Sequence, residues 1–434
     1  MRIKQHGRHG NRQVKGISMA VLLIGTLDTK GSEYQFVRDL LNQAGIETLV
    51  LDAGVLNPPV FPADIGRDQV YTAAGTTIAE VQKSADRGKA IEAAARGAAH
   101  IALDSHTQDK VDGILALGGS AGTTIATAAM RALPFGIPKL MVSTLASGQV
   151  RQYVGVRDIL MMHSVVDISG LNRISRMVLT NAANAMIGMI RARSACGLAL
   201  AESLSEREAA SGNREKPLVT ATMFGVTTPC VEASRRIMEQ NGFEVLVFHA
   251  TGSGGMTMES FIGDGIIAGV LDITTTELAD ELVGGVLSAG RDRLTAAGLR
   301  GVPQVISLGA LDMVNFGPRE TVPEKFRDRR FYQHNPTVTL MRTTPEENDR
   351  LGKEIAEKAS AARGPTAIFV PLRGVSAIDR EGQPFHWPEA DTALFQSLRH
   401  WLSPNVRLIE LDLHINDPAF AKTAAETLLA MVPR

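Results

Sequence analysis

Apolar residues in this chain gather into short unbroken runs, and each run ends on glycine or a small polar residue. Met19–Ile24 (MAVLLI) closes on Gly25, the pattern of a strand buried on both faces of a parallel sheet. Phe36, Val37, Leu40 and Leu41 follow at helical spacing, Ala44-Gly45 stops that helix, and Thr48–Leu51 is the next strand. Together they predict a βαβ unit. Further on, the run Val111–Leu117 enters the stretch Gly118-Gly119-Ser120-Ala121-Gly122-Thr123-Thr124, and a small-residue helix is predicted over Ile125–Leu133.

The plan returns in the second half. Leu218–Phe224 meets Gly225, a helix carries Ala233, Ile237 and Met238, Asn241-Gly242 stops it, and Val245–Phe248 is the strand. QAGIETLVLDAG matches QNGFEVLVFHATG in pattern, Asp112-Gly113-Ile114 is echoed by Asp264-Gly265-Ile266, and Pro138–Ser143 by Pro303–Ser307. The expectation is α/β throughout: two related Rossmann-like, doubly wound domains with mostly parallel sheets. The first spans 19–200 and binds the ligand, 201–216 is a polar linker, and the second spans 217–434. In the second, Arg327–Tyr332 reads as a charged turn, Pro336–Met341 holds a strand and Glu346–Ala362 an amphipathic helix. Thr366–Pro371 and Val406–Leu413 close the sheet before a helix from Pro418. A long helix over Leu171–Arg193, begun by Ser169, combines small residues with Met177, Met186 and Met189. Such a face predicts a homodimer or higher homo-oligomer.

Composition narrows the classes. The 434 residues carry a formal net charge of -1 and only 5% aromatics, which is no footprint for nucleic acid. No apolar run approaches a membrane span. Two cysteines, Cys196 and Cys230, predict no disulfide framework and a cytoplasmic setting. The basic stretch 1–18 lacks the apolar core of a secretory signal. It reads as a disordered tail, with Met19 as an alternative start.

In doubly wound sheets, ligands bind outside the carboxyl ends of the strands. Four such ends are rich in small polar residues. The first holds Thr26, Asp28, Thr29 and Lys30; the second Gly118, Gly119, Ser120, Gly122, Thr123 and Thr124; the third Ser143, Thr144, Ser147 and Gly148; the fourth Asp167–Gly170. Free N–H groups at a helix start suit an anion, so convergence of these ends predicts a polyphosphate site, with Lys30 as one compact charge. Taken singly, Asp28 and Thr29 read better as helix caps, and Ser32 with Gln35 as a capping box; it is the convergence that favours a site. Neither GxxxxGK[ST] nor a GxGxxG after the first strand is present, which argues against a P-loop ATPase and an ordinary dinucleotide dehydrogenase.

In the second half, His249-Ala250-Thr251-Gly252-Ser253-Gly254-Gly255 is another glycine-rich strand end. Ser253, His249 and Asp272 offer a nucleophile, base and acid for a second small-molecule ligand, although GxSxG is absent. Asp312, His334 and Arg342 stand near other predicted strand ends. No metal-ligating spacing occurs among the histidines and cysteines.

The blocks GTLDTKGSEYQFV, DGILALGGSAGTT, GIPKLMVSTLASGQV and SVVDISGLNRIS, in this order, resemble the Tm-one-like ATP-binding family. The resemblance covers residues 19–432 and is looser after Gly255. It implies two Rossmann-like subdomains, Mg2+ and ATP bound in the first, and dimerisation. Asp28, Thr29 and Lys30 match the family's first strand end, Gly118, Gly119, Ser120, Gly122 and Thr123 its phosphate turn, and Ser143, Thr144, Ser147 and Gly148 its third loop. Ala121 stands where many members have glycine. The resemblance implies a ligand and leaves three uses of it open: an enzyme acting on a small molecule, an ATP-dependent interaction module, or a hydrolase of small acids centred on the second glycine-rich loop.

Overall fold

The computed structural model describes residues 20–210 and 216–433, and of 194–210 only the backbone; the basic segment 1–18 lies outside the described residues. Two compact units divide the chain, the second beginning at Arg214. The first contains, in order, β1 (Ala20–Gly25), α1 (Leu27–Gln43), β2 (Glu47–Asp52), α2 (Arg67–Ala73), α3 (Ile78–Ser84), α4 (Arg87–Thr107), β3 (Gly113–Gly118), α5 (Ser120–Ala132), β4 (Lys139–Ser143), α6 (Arg151–Val154), β5 (Leu160–His163) and α7 (Arg173–Ala210). Its five strands are parallel in the order β2-β1-β3-β4-β5. Every residue of β1, β3 and β4 is buried, because apolar clusters cover both faces of the sheet. One gathers α2, α4 and α5, the other α1 and α7.

The second unit runs β6 (Leu218–Met223), α8 (Thr228–Gln240), β7 (Glu244–His249), α9 (Ser253–Gly263), β8 (Gly269–Thr274), α10 (Thr276–Val283), α11 (Ala296–Arg300), β9 (Gln304–Gly309), β10 (Met313–Phe316), β11 (Phe331–Asn335), β12 (Val338–Arg342), α12 (Pro345–Ser360), β13 (Thr366–Pro371), α13 (Pro388–Trp401), β14 (Arg407–Leu411) and α14 (Pro418–Met431). Its main sheet, β7-β6-β8-β9-β13-β14, is parallel and follows the same path with one strand added. The duplication read from the sequence is therefore a duplication of strand order. Lys139 lies opposite Ile114, and Gln304 opposite Val270, so the Pro138 and Pro303 echoes fall in one register. The third echo is displaced. Asp264-Gly265 ends α9, and the counterpart of Gly113, opposite Val21, is Gly269, opposite Val219.

Other expectations shift. Ser120–Thr124 belongs to α5 rather than to a turn, since Gly119 alone carries the chain from strand to helix. Ser32 and Gln35 lie inside α1. Helix α7 is begun by Asn172, whose side chain accepts from the amides of Ile174 and Ser175, both at 2.9 Å, and its backbone continues through part of the predicted linker. Of the methionines offered for self-association, Met186 and Met189 pack into the first unit's own core, and Met177 remains 60% exposed. Arg327–Tyr332 is a turn only at first, because Phe331 starts a strand of a small antiparallel sheet, β10-β12-β11.

Candidate functional site

A strand order of 2-1-3-4-5 reverses direction between its first and third strands, and the crevice opened there is where such sheets bind ligands. In the first unit, a cavity of about 850 Å³ stands at this reversal. Thr26, Asp28, Thr29 and Lys30, after β1, line it together with Gly119, Ser120 and Gly122, after β3. Helix α4 supplies Arg87, Ala90, Ile91 and Ala94, with Val81 and Gln82 from α3 and Tyr71 from α2. Within this insertion α4 packs closely on α2 because of Gly97: a Cβ there would stand 1.9 Å from the Val70 carbonyl oxygen.

Two helix starts point toward the reversal, and they differ in charge. Asp52, 1% exposed at the end of β2, accepts from the Leu27 amide at 3.0 Å and from Gly54 at 2.9 Å, and it pairs with Arg67 at 2.7 Å. The start of α1 therefore already holds a carboxylate. Asp52 also stands where a dinucleotide fold keeps its ribose-binding acid, and here Arg67 and backbone amides occupy it. Helix α5 has Gly119 at its N-cap and no side-chain cap, so its first N–H groups and the positive end of its dipole are free to meet an anion.

The remaining predicted residues brace this helix start from behind. Thr123 and Ser143 hydroxyls bond at 2.7 Å in the interior, Ser143 Oγ also accepts from the Leu145 amide at 3.0 Å, and the Thr144 amide donates to the Gly118 carbonyl at 3.2 Å. Thr124 Oγ1 donates back to the Ser120 carbonyl at 2.9 Å, while Ser147 and Gly148 are exposed beyond Thr144. Asp28 is anchored by one oxygen, which accepts from the Leu56 amide at 2.9 Å and the Asn57 amide at 3.3 Å. Its other oxygen, Oδ1, is buried without a partner. The Lys30 ammonium donates to the carbonyl oxygen of Ile168. Burial pushes the Tyr71 phenol up to about 12, so this wall residue is a neutral donor.

The second unit fills the corresponding place. Its reversal lies between β6 and β8, and the hydroxyls of Thr227 and Thr274 bond there at 2.8 Å while Thr222 Oγ1 accepts from the Thr274 amide at 2.9 Å. Asp272 is 1% exposed, with both oxygens on the fully buried Arg293 at 2.5 and 2.7 Å and the Thr222 hydroxyl at 2.7 Å. His249 and Ser253 are exposed, so the three do not form a relay. The donors expected to take an anion near Ser253 are in use: Glu277 accepts from the amides of Gly252 at 2.7 Å and Gly255 at 3.0 Å and pairs with Arg293 at 2.7 Å. Asp312 and Arg342 join a second interior cluster with Asp379 and Asp391. His334 lies exposed on β11.

Tandem doubly wound units, one with an open crevice at its strand reversal and one with that crevice filled, define the class of protein. The chain belongs to the uncharacterised protein family UPF0261, whose amino-terminal domain matches residues 19–195 and whose C-terminal domain matches residues 216–432. It is 50% identical to a UPF0261 protein of Clostridium tetani over 95% of this chain and 99% of that one. It is 43% identical to the ToMV resistance protein Tm-1(GCR237) of Solanum lycopersicum, over 80% of this chain and 45% of that one. Among solved structures, UDP-N-acetylglucosamine 2-epimerase from Rickettsia bellii is aligned over 95% of each chain at 10% identity with a TM-score of 0.23. Among the described residues, no helix is long and apolar enough to cross a membrane.

Proposed function

We propose that the first unit binds ATP with Mg2+ in the cavity at its strand reversal. The observation that carries this reading is that the uncapped start of α5 and the Thr26–Lys30 segment line the same cavity. A cavity of about 850 Å³ lies within the roughly 300–1,000 Å³ of small-molecule sites. Its apolar flank of Val55, Val81, Ala90, Ile91 and Ile125 suits a base, and the helix start suits the phosphates. Magnesium fits the donors present. It keeps several waters and takes one or two carboxylates beside substrate phosphates, and Asp28, with its unpartnered Oδ1, would hold it, with the Thr26 and Thr29 hydroxyls beside it. The ion would neutralise phosphate charge that Asp28 alone would repel.

Gly119→Asp tests this. Its φ of -83° is ordinary, and a Cβ there meets nothing nearer than Thr144 Oγ1 at 3.7 Å, so the variant should fold. Its carboxylate would occupy the helix start and repel phosphate. Calorimetric titration with MgATP should give heat of binding for the native chain and none for the variant. Equal affinities in a folded variant would put the site elsewhere.

A further inference from the structure

The segment Ser164–Asn172, between β5 and α7, is fastened to the start of α1 by two hydrogen bonds, and the Ile168 side chain packs in the apolar cluster that α1 shares. The Lys30 ammonium donates to the Ile168 carbonyl oxygen, and the Gly170 amide donates to the buried Glu33 carboxylate at 2.6 Å. Between β5 and these fastenings the backbone is strained. Val165 has φ +66°, and the Val166 amide donates to the Ser164 carbonyl at 2.7 Å. This is the three-residue γ-turn of positive φ, the rare and strained form, at a β-branched residue that seldom adopts it. The Val165 side chain is 65% exposed, so packing does not hold it there. The turn is held locally by Ser164, whose hydroxyl donates to the Val166 carbonyl oxygen at 2.6 Å, and the fastenings to Lys30 and Glu33 hold the residues that follow it.

Lys30 also lines the cavity, and its own backbone departs from the helix at φ -131°, ψ 21°. Lys30 thus lines the cavity while its ammonium is held by a neutral carbonyl acceptor on the neighbouring strap, Ser164–Asn172. A charge-assisted bond to phosphate is roughly twice as strong as a neutral one. We propose that Lys30 is a latch: a polyphosphate in the cavity draws the ammonium from the Ile168 carbonyl, and Ser164–Gly170 relaxes from the start of α1. The strap leads directly into Asn172, the cap of α7, so nucleotide occupancy is transmitted to the start of that long helix. This inference rests on the nucleotide reading above and adds a regulated element to it.

Hydrogen–deuterium exchange of the full chain separates the two. With MgATP, amides of Ser120–Thr124 should exchange more slowly and those of Val165–Gly170 at least several-fold faster. Inorganic triphosphate with Mg2+ should release the strap as well, and adenosine should not. Lys30→Met, which keeps the length of the side chain and removes the donor, should show a fast-exchanging strap that nucleotide leaves unchanged. Protection of Ser120–Thr124 with no acceleration at Val165–Gly170 would overturn the latch and leave the nucleotide site standing. No protection at Ser120–Thr124 at saturating MgATP would overturn both. Should Lys30→Met fail to fold, the triphosphate and adenosine arms on the native chain decide the matter.

Discussion

Single carboxylates decide which helix starts in this protein can meet an anion. Asp52 closes α1, and Glu277 closes α9 by accepting from Gly252 and Gly255; α5 begins on Gly119 with no side chain in the way. That Thr26, Asp28, Thr29 and Lys30 would converge with Gly119, Ser120 and Gly122 was legible because small, polar and glycine residues sit directly after apolar runs, and these residues line one cavity. The role of Asp272 was not legible. Its partner Arg293 lies in a segment with no motif, and only the fold brings the two within 2.7 Å. The same arginine bonds Glu277, so Arg293→Met would leave two buried carboxylates without a counter-charge. Such a loss costs about 3–5 kcal/mol. Urea unfolding should show a destabilisation of this size, and a loss below about 1 kcal/mol would mean that these carboxylates are solvated.

Elements with continuous apolar runs were read nearly to their ends: β1, β6, β9 and β13 fall within a residue or two of expectation. The α2–α4 insertion, which lines one part of the cavity, was not read. Its helices are short or alanine-rich, and AIEAAARGAAH gives little contrast between faces. Strands β10 to β12 were missed in part because β11, FYQHN, is half-exposed and polar. Helix α10 is tied to β10 by Asp280, which accepts from the amide of Asn315 at 3.0 Å and from its side-chain nitrogen at 2.7 Å. Burial is the largest influence on Asp280 and pushes its carboxyl up to about 7. The folded protein then binds a proton that the unfolded chain releases near pH 4. The stabilisation from this group is complete below about pH 4 and is lost as the pH rises toward about 7. Asp280→Asn removes the titration, and Asn315 Oδ1, buried without a partner, can turn to accept from the new amide. Measured in urea at about pH 5 and pH 8, the variant should gain stability relative to the native chain as the pH rises. A difference independent of pH would contradict the argument.

At the scale of the molecule, one strand order is used twice with opposite outcomes. The reversal between β1 and β3 is open and polar at one helix start, whereas the reversal between β6 and β8 is filled by threonines beside the Asp272–Arg293 pair. The duplication was visible in the sequence as ordered echoes. The filling of its second copy was not, because it depends on side chains from separated segments meeting in space. In the nucleotide-bound form proposed above, phosphates sit at the start of α5. A crystal structure grown with Mg2+ and a non-hydrolysable ATP analogue measures this directly. Phosphate oxygens are predicted within about 2.7–3.2 Å of the amide nitrogens of the first turn of α5, Ser120–Gly122, with the metal on Asp28. Nucleotide found at another helix start, or bound with its phosphates turned away from Ser120–Gly122, would contradict the account.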